Sequence, residues 1–328
     1  MKKKRSVLLF VLLAYGLSWG LAAVALRRGI TMEKLLAADA LSREDLLSLG
    51  LLGFYMWMPA LAALLATLVS GEGLRARLLR PDPVRNWKYD LQGWLLPAVL
   101  TGVGAITYFL LFPGRFDNSL VQLRRMLALA AGEPVLAGSS APALLALLFG
   151  GGILLAPAAA LFSGPLGEEI GWRGYLYPTL CQRMPERRAV VLSGVIWGLW
   201  HTPLLVMGWD YGTAYPGYPL TGILTMTLCT VGLGVFLCRL TRRAGNVWPA
   251  ALAHGTVNLL FSIFLLGGQF SKGPFNPLLG AHPLTLVGGW ALLATGACLL
   301  AHPLEKAPAL CYNEGNQGAS DAKKTQGG

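Results

Sequence analysis

Eight stretches of this chain are each apolar over about 20 residues, the length a helix needs to cross roughly 30 Å of hydrocarbon. They fall near 6–26, 46–70, 91–112, 141–164, 189–209, 220–240, 247–266 and 283–301. Few folds are open to such a chain, because inside lipid the backbone polar groups must be satisfied by helices or by a closed barrel. No segment shows the two-residue alternation of a strand, so the sequence predicts an all-α polytopic membrane bundle of about eight transmembrane helices. The composition agrees: 54% of the 328 residues are hydrophobic and 13% charged, too little charge to cover a soluble domain of this size.

The run after "MKKKR" has span length and no convincing small-residue cleavage site, which predicts a retained first helix. Lys and Arg gather in the segments that lie inside if the N-terminus is cytoplasmic, among them "GLRARLLRPDPVRNWK" and "LTRRAGN". Both termini are therefore expected in the cytoplasm, with the protein in the cell membrane. The net charge of +11 follows from basic loops against anionic lipid headgroups, and no nucleic-acid motif is present. The five cysteines, at 181, 229, 238, 298 and 311, form no CxxC pair, so no disulfide framework is implied. The bundle is expected to occupy 1–301, with an amphipathic interfacial helix over 118–132 and a polar, disordered tail over 302–328.

Ionisable groups cost at least about 2.5–3.5 kcal/mol each at the centre of a bilayer, so those that occur there call for a functional reading. Glu168, Glu169 and Arg173 lie at the inner end of the fourth run, in "PLGEEIGWRGYLYP". His201 lies within the fifth, and His254 with Asn258 within the seventh. His282 and His302 each precede a proline at the end of a run, where water makes them inexpensive, and are read as incidental. Residues four apart share a helix face, so Glu169 can reach Arg173 while Glu168 points elsewhere. A carboxylate beside another, partly desolvated and not paired with the arginine, suits a general base. The same spacing joins Trp197 to His201 and His254 to Asn258, and Gly194 with Gly198 should let another helix approach closely. Pro165 and the glycines 164, 167, 171 and 174 could break the helix and turn the carboxylates towards a hydrated chamber.

Singly, each group has a plain structural reading. The Glu-Glu-x-x-x-Arg stretch could be an ion-pair cluster at the headgroups, His201 a core histidine bonded to a carbonyl, and His254 with Asn258 an interhelical hydrogen bond. Three buried polar sites reachable from one side are less easily dismissed. "GWRGYLYPTL" is read as an interfacial aromatic belt rather than a ligand cage.

Assembled in order, these residues resemble the CPBP family, the CAAX prenyl endopeptidase and bacteriocin-processing (Abi) intramembrane proteases. The family's Glu-Glu-x-x-x-Arg is matched by Glu168, Glu169 and Arg173, and its His-x-x-x-Asn by His254 and Asn258. Its Phe-x-x-x-His is matched by His201, with Trp197 where the family has phenylalanine. The resemblance implies hydrolysis of a peptide bond within the membrane, on a membrane-associated or lipidated peptide or protein. Glu168 would activate water held by His201, His254 and Asn258 would bind the oxyanion, and Glu169, Arg173 and Trp197 would support them. No cofactor is required, but Glu168, His201 and His254 also meet the ligand rules of zinc, so a Zn²⁺ site stays open. HExxH is absent. Two other classes are carried beside the protease: a proton-coupled transporter, and a non-catalytic immunity or scaffold protein of the same fold.

Overall fold

In the computed structural model, residues 2–37, 42–71, 74, 76–117, 119–121, 124, 138–162, 164–266, 276 and 278–302 are described. Ten helical segments carry the architecture: α1 (Lys2–Arg27), α2 (Arg43–Ser70, with a 3₁₀ turn at Phe54–Trp57), α3 (Pro83–Leu111), α4 (Ala141–Phe162), α5 (Pro165–Gly171), α6 (Tyr177–Cys181), α7 (Glu186–Trp200), α8 (Leu220–Ala244), α9 (Trp248–Leu266) and α10 (Trp290–Ala301). Short helical turns at Met32–Ala37, Ala76–Leu79 and Thr202–Val206 join them. No strand occurs among the described residues, and the molecule is an all-α bundle of apolar helices.

Six helical segments are long and apolar enough to cross a membrane, and they coincide with the first six sequence runs. The seventh run is helical over Trp248–Leu266. The eighth departs from expectation, because only the 12 residues Trp290–Ala301 are helical, about 18 Å of rise. Turns precede it, folded so tightly that a Cβ on Gly288 would lie 2.4 Å from the Ala281 carbonyl carbon. The expected interfacial helix over 118–132 lies outside the described residues apart from residues 119–121 and 124, as does the tail beyond His302.

Small residues set the close helix packing. Cβ atoms built on Gly194 and Gly198 of α7 would fall 2.7 Å from the Val231 Cα and 2.5 Å from the Thr227 Cα of α8. Thr230 Oγ1 donates across that seam to the Gly194 carbonyl. Gly255 of α9 meets Ala160 of α4 in the same way, and Gly93 of α3 meets the Pro249 carbonyl. Lipid tails are as apolar as leucine, so such close approach and interhelical hydrogen bonds hold a membrane bundle where water exclusion cannot.

Polar ties show which ends of the helices lie together. Arg183 donates to Ser6 Oγ at 2.7 Å, Arg242 pairs with Glu186, and Arg239 donates to the carbonyls of Leu299 and His302. The start of α1 and the end of α10 therefore share one basic end of the bundle. At the opposite end, Met32 N–H donates to the Met207 carbonyl, and the Tyr211 hydroxyl to that of Leu284.

Candidate active site

Between α4 and α5 the helix breaks at Gly164, whose φ of 108° is a backbone state that side-chain-bearing residues rarely adopt. Pro165 then starts α5, since its missing N–H costs nothing in a first turn. A π-turn over Trp172–Leu176 follows. These three features carry Glu168 and Glu169 into the protein interior, where both are fully buried.

Two side-chain pairs, each four residues apart, lie on neighbouring faces of this segment. On one, Arg173 Nη1 donates to Glu169 Oε1 at 2.8 Å. On the other, Trp172 Nε1 donates to Glu168 Oε2 at 3.2 Å. Trp197 of α7 adds a second indole bond to that same Oε2, at 2.7 Å. Oε1 of Glu168 has no hydrogen-bond partner among the described residues and lies 3.9 Å from Nε2 of His254.

His254 is fixed through its other nitrogen, with Nδ1 2.9 Å from Glu169 Oε1. Arg173 holds that carboxylate as an acceptor, so Nδ1 carries the proton and donates, leaving Nε2 turned towards Glu168. His201 ends α7 with Nδ1 2.9 Å from the Trp197 carbonyl. A carbonyl only accepts, so here too Nδ1 carries the proton and Nε2 of the neutral ring keeps its lone pair. The Trp197 ring stands among the charged groups, with its centroid 5.1 Å from His254, 6.0 Å from His201 and 4.2 Å from the Arg173 guanidinium. Asn258 lies one turn beyond His254, half-buried, and its amide has no hydrogen bond among the described residues.

The sequence expectations fare unevenly. Glu169 pairs with Arg173 and Glu168 does not, as the spacing predicts. The carboxylates, His254, Trp197 and Arg173 converge, while His201 joins them through the Trp197 ring and backbone. The aromatic belt is a miss: Trp172, Tyr175 and Tyr177 are fully buried, with Trp172 and Tyr175 packed on Phe10 of α1, so they belong to the core. His282 is buried rather than wet, stacked on Tyr211 with ring centroids 5.7 Å apart. His302 is exposed as expected.

Two groups escaped the sequence reading. Trp172 was legible only as the residue four beyond Glu168. Asp210 sits in the loop after α7, between Gly208 and Gly212, both with positive φ, and its Oδ2 is enclosed without a partner. Burial, helped by the charge of Glu168, pushes its carboxyl up to about 7. Among the described residues no group of three or more His, Cys, Asp or Glu side chains is arranged to hold a metal ion. The four described cysteines, 181, 229, 238 and 298, are free thiols.

Comparison with known proteins centres on this region. Residues 150–260 match the Rce1-like family of Type II CAAX prenyl endopeptidases. A protein of Methanococcus maripaludis described as CAAX prenyl protease 2 is 30% identical over 95 residues, 28% of this chain and 34% of that protein. The chain thus spans about a third of the length of the curated relative it matches. No solved structure matches it significantly. Through the stretch 150–260, which holds both carboxylates, both histidines and Asn258, the chain belongs to the Rce1-like CAAX protease family.

Proposed function

We propose that this protein is an intramembrane endopeptidase that hydrolyses a peptide bond of a membrane-associated or lipidated substrate. One observation carries the reading: a fully buried carboxylate oxygen without a partner, Glu168 Oε1, faces an imidazole nitrogen 3.9 Å away. That separation exceeds a direct hydrogen bond and suits one bridged by a water molecule.

In the proposed reaction Glu168 Oε1 takes a proton from this water as its oxygen attacks the scissile carbonyl carbon. Nε2 of His201, held as an acceptor, orients the water through its second O–H. The oxyanion of the tetrahedral intermediate is met by the Asn258 amide, a donor in either protonation state of the site, and by Nε2 of His254 when that ring is an imidazolium. The Arg173–Glu169 pair supports the imidazolium, because a carboxylate already accepting from Nδ1 stabilises the added charge. Glu168 then passes its proton to the leaving nitrogen, the C–N bond breaks, and a carboxylate and an amine are released. None of these steps requires a metal ion.

The basic end of the bundle, with Arg183, Arg239 and Arg242, faces the cytoplasm in this reading, following the distribution of positive charge. The Methanococcus relative's description motivates a lipidated peptide as the first substrate to try.

The test is a cleavage assay on purified protein with lipidated and unlipidated peptides, with metal content measured in the same sample. Wild type cleaves, and Glu168→Ala lowers the rate at least about a thousandfold while remaining folded, the scale of loss expected when an essential base is removed. Normal turnover by that variant would remove the proposed base. Activity that disappears with a chelator and returns with zinc would replace the metal-free scheme. Proton-driven uptake into vesicles with no peptide product would favour a transporter.

A further inference from the structure

The two oxygens of a free carboxylate are equivalent and exchange by rotation about the last side-chain bond. In Glu168 they are not equivalent. Oε2 accepts from two indoles, Trp197 at 2.7 Å and Trp172 at 3.2 Å, while Oε1 accepts from neither and faces His254. Trp197 stands where the family pattern has phenylalanine, which has no N–H to give.

We infer that Trp197 is a positioning residue: its indole N–H, backed by that of Trp172, locks Oε2 of Glu168 and so makes Oε1 the atom that takes the proton from water. This rests on the endopeptidase reading above. The Trp197 ring is itself held firmly, with the Arg173 guanidinium over its face and the His254 ring at 73° to its plane. Through its main chain the same residue anchors the second imidazole, since the Trp197 carbonyl accepts from His201 Nδ1. Trp197 therefore sets the base with its side chain and the water-orienting histidine with its backbone. That division makes the inference separable, because exchanging the side chain leaves the His201 anchor in place.

The decisive variant is Trp197→Phe, which keeps an aromatic ring beneath Arg173 and removes only the donor. It should lower kcat about ten- to a hundredfold, the usual effect of losing a hydrogen bond to a buried charge, and change KM less than about twofold. Trp172→Phe, removing the longer bond, should lower kcat less. A spectroscopic reading is independent of turnover. In full-length protein labelled with ¹⁵N at its ten tryptophans, the resonance missing from Trp197→Phe identifies the Trp197 indole. It should lie downfield in wild type and move upfield in Glu168→Gln, where the acceptor is neutral.

Wild-type kcat in Trp197→Phe, with Glu168→Ala inactive, would overturn the inference and leave the endopeptidase reading standing. An indole resonance that ignores Glu168→Gln would overturn it as well, even if Trp197→Phe fails to fold. Absence of cleavage by wild type would sink the endopeptidase reading alone, and the indole response would still show whether the clamp exists.

Discussion

The outer helices and the motif-bearing helices look alike in composition and do opposite work. Of the most apolar window of α4, 22% is buried inside the molecule, against 56% for α8. Leu154 on α4 and Leu110 on α3 are 72% and 76% exposed, whereas Glu168 and Glu169, on the short helix that follows α4, are fully enclosed. Apolarity in this chain therefore marks where a helix can lie, and polarity marks which helices are wrapped by others. The lipid-facing surface is made of interchangeable leucines and valines, while the interior is fixed by glycines and by polar groups with assigned partners.

If that contrast holds, substitutions should rank by region. Arg173→Met should have the largest effect on stability, about 3–5 kcal/mol, because it leaves the Glu169 carboxylate buried beside His254 without its cation. Thermal unfolding in detergent would measure it, and a variant as stable as wild type would mean that the ion pair is reached by water. Gly198→Ala should come next, at about 1–3 kcal/mol, since the new methyl meets the Thr227 backbone and one helix has to move.

A third, smaller effect depends on pH. Asp210 loses its proton near 3.8 in an unfolded chain and only near 7 in the fold, so the folded state binds the extra proton between those values. Stability should decline gently as pH rises from about 4 to 7 and level off above, and Asp210→Asn should abolish that decline. The groups in electrostatic reach of Asp210 are Glu168, Tyr55, Tyr211 and Tyr215, so the comparison is best repeated in Glu168→Gln. Melting temperatures across this pH range would decide it, and parallel curves for both proteins would reject it.

The smallest effect is expected at Leu154→Ala, within about 0.5 kcal/mol, because a side chain that faces lipid in the folded state loses little by truncation. A loss as large as that of Gly198→Ala would show that α4 is covered by something other than lipid.

Much of the site was legible because helix geometry converts spacing into facing. The four-residue step fixed the Glu169–Arg173 pair, the shared face of Trp197 and His201, and the seam at Gly194 and Gly198 before any coordinates. Facing does not say what lies opposite. Whether the aromatics of 172–177 looked at headgroups or at α1 depended on Phe10, more than 160 residues away in the chain. The burial of His282 depended in the same way on Tyr211 and Phe261. The shortened eighth helix depended on a tight turn whose composition is as apolar as a span. Asp210 carried no periodic pattern at all, because it sits in a loop positioned by tertiary contacts.

The break at Gly164 has a consequence for any attempt to isolate the conserved-looking third of the chain. Cβ atoms built on Gly164, Gly167 and Gly171 would strike Met56, Trp57 and Pro59 in turn, so the segment bearing both glutamates leans along its length on residues 56–59. Those residues lie almost a hundred positions upstream of the stretch that matches known proteases. The N-terminal half thus works as the mould against which the reactive segment is cast, and a fragment begun at residue 150 would keep every motif while losing the surface that aligns them.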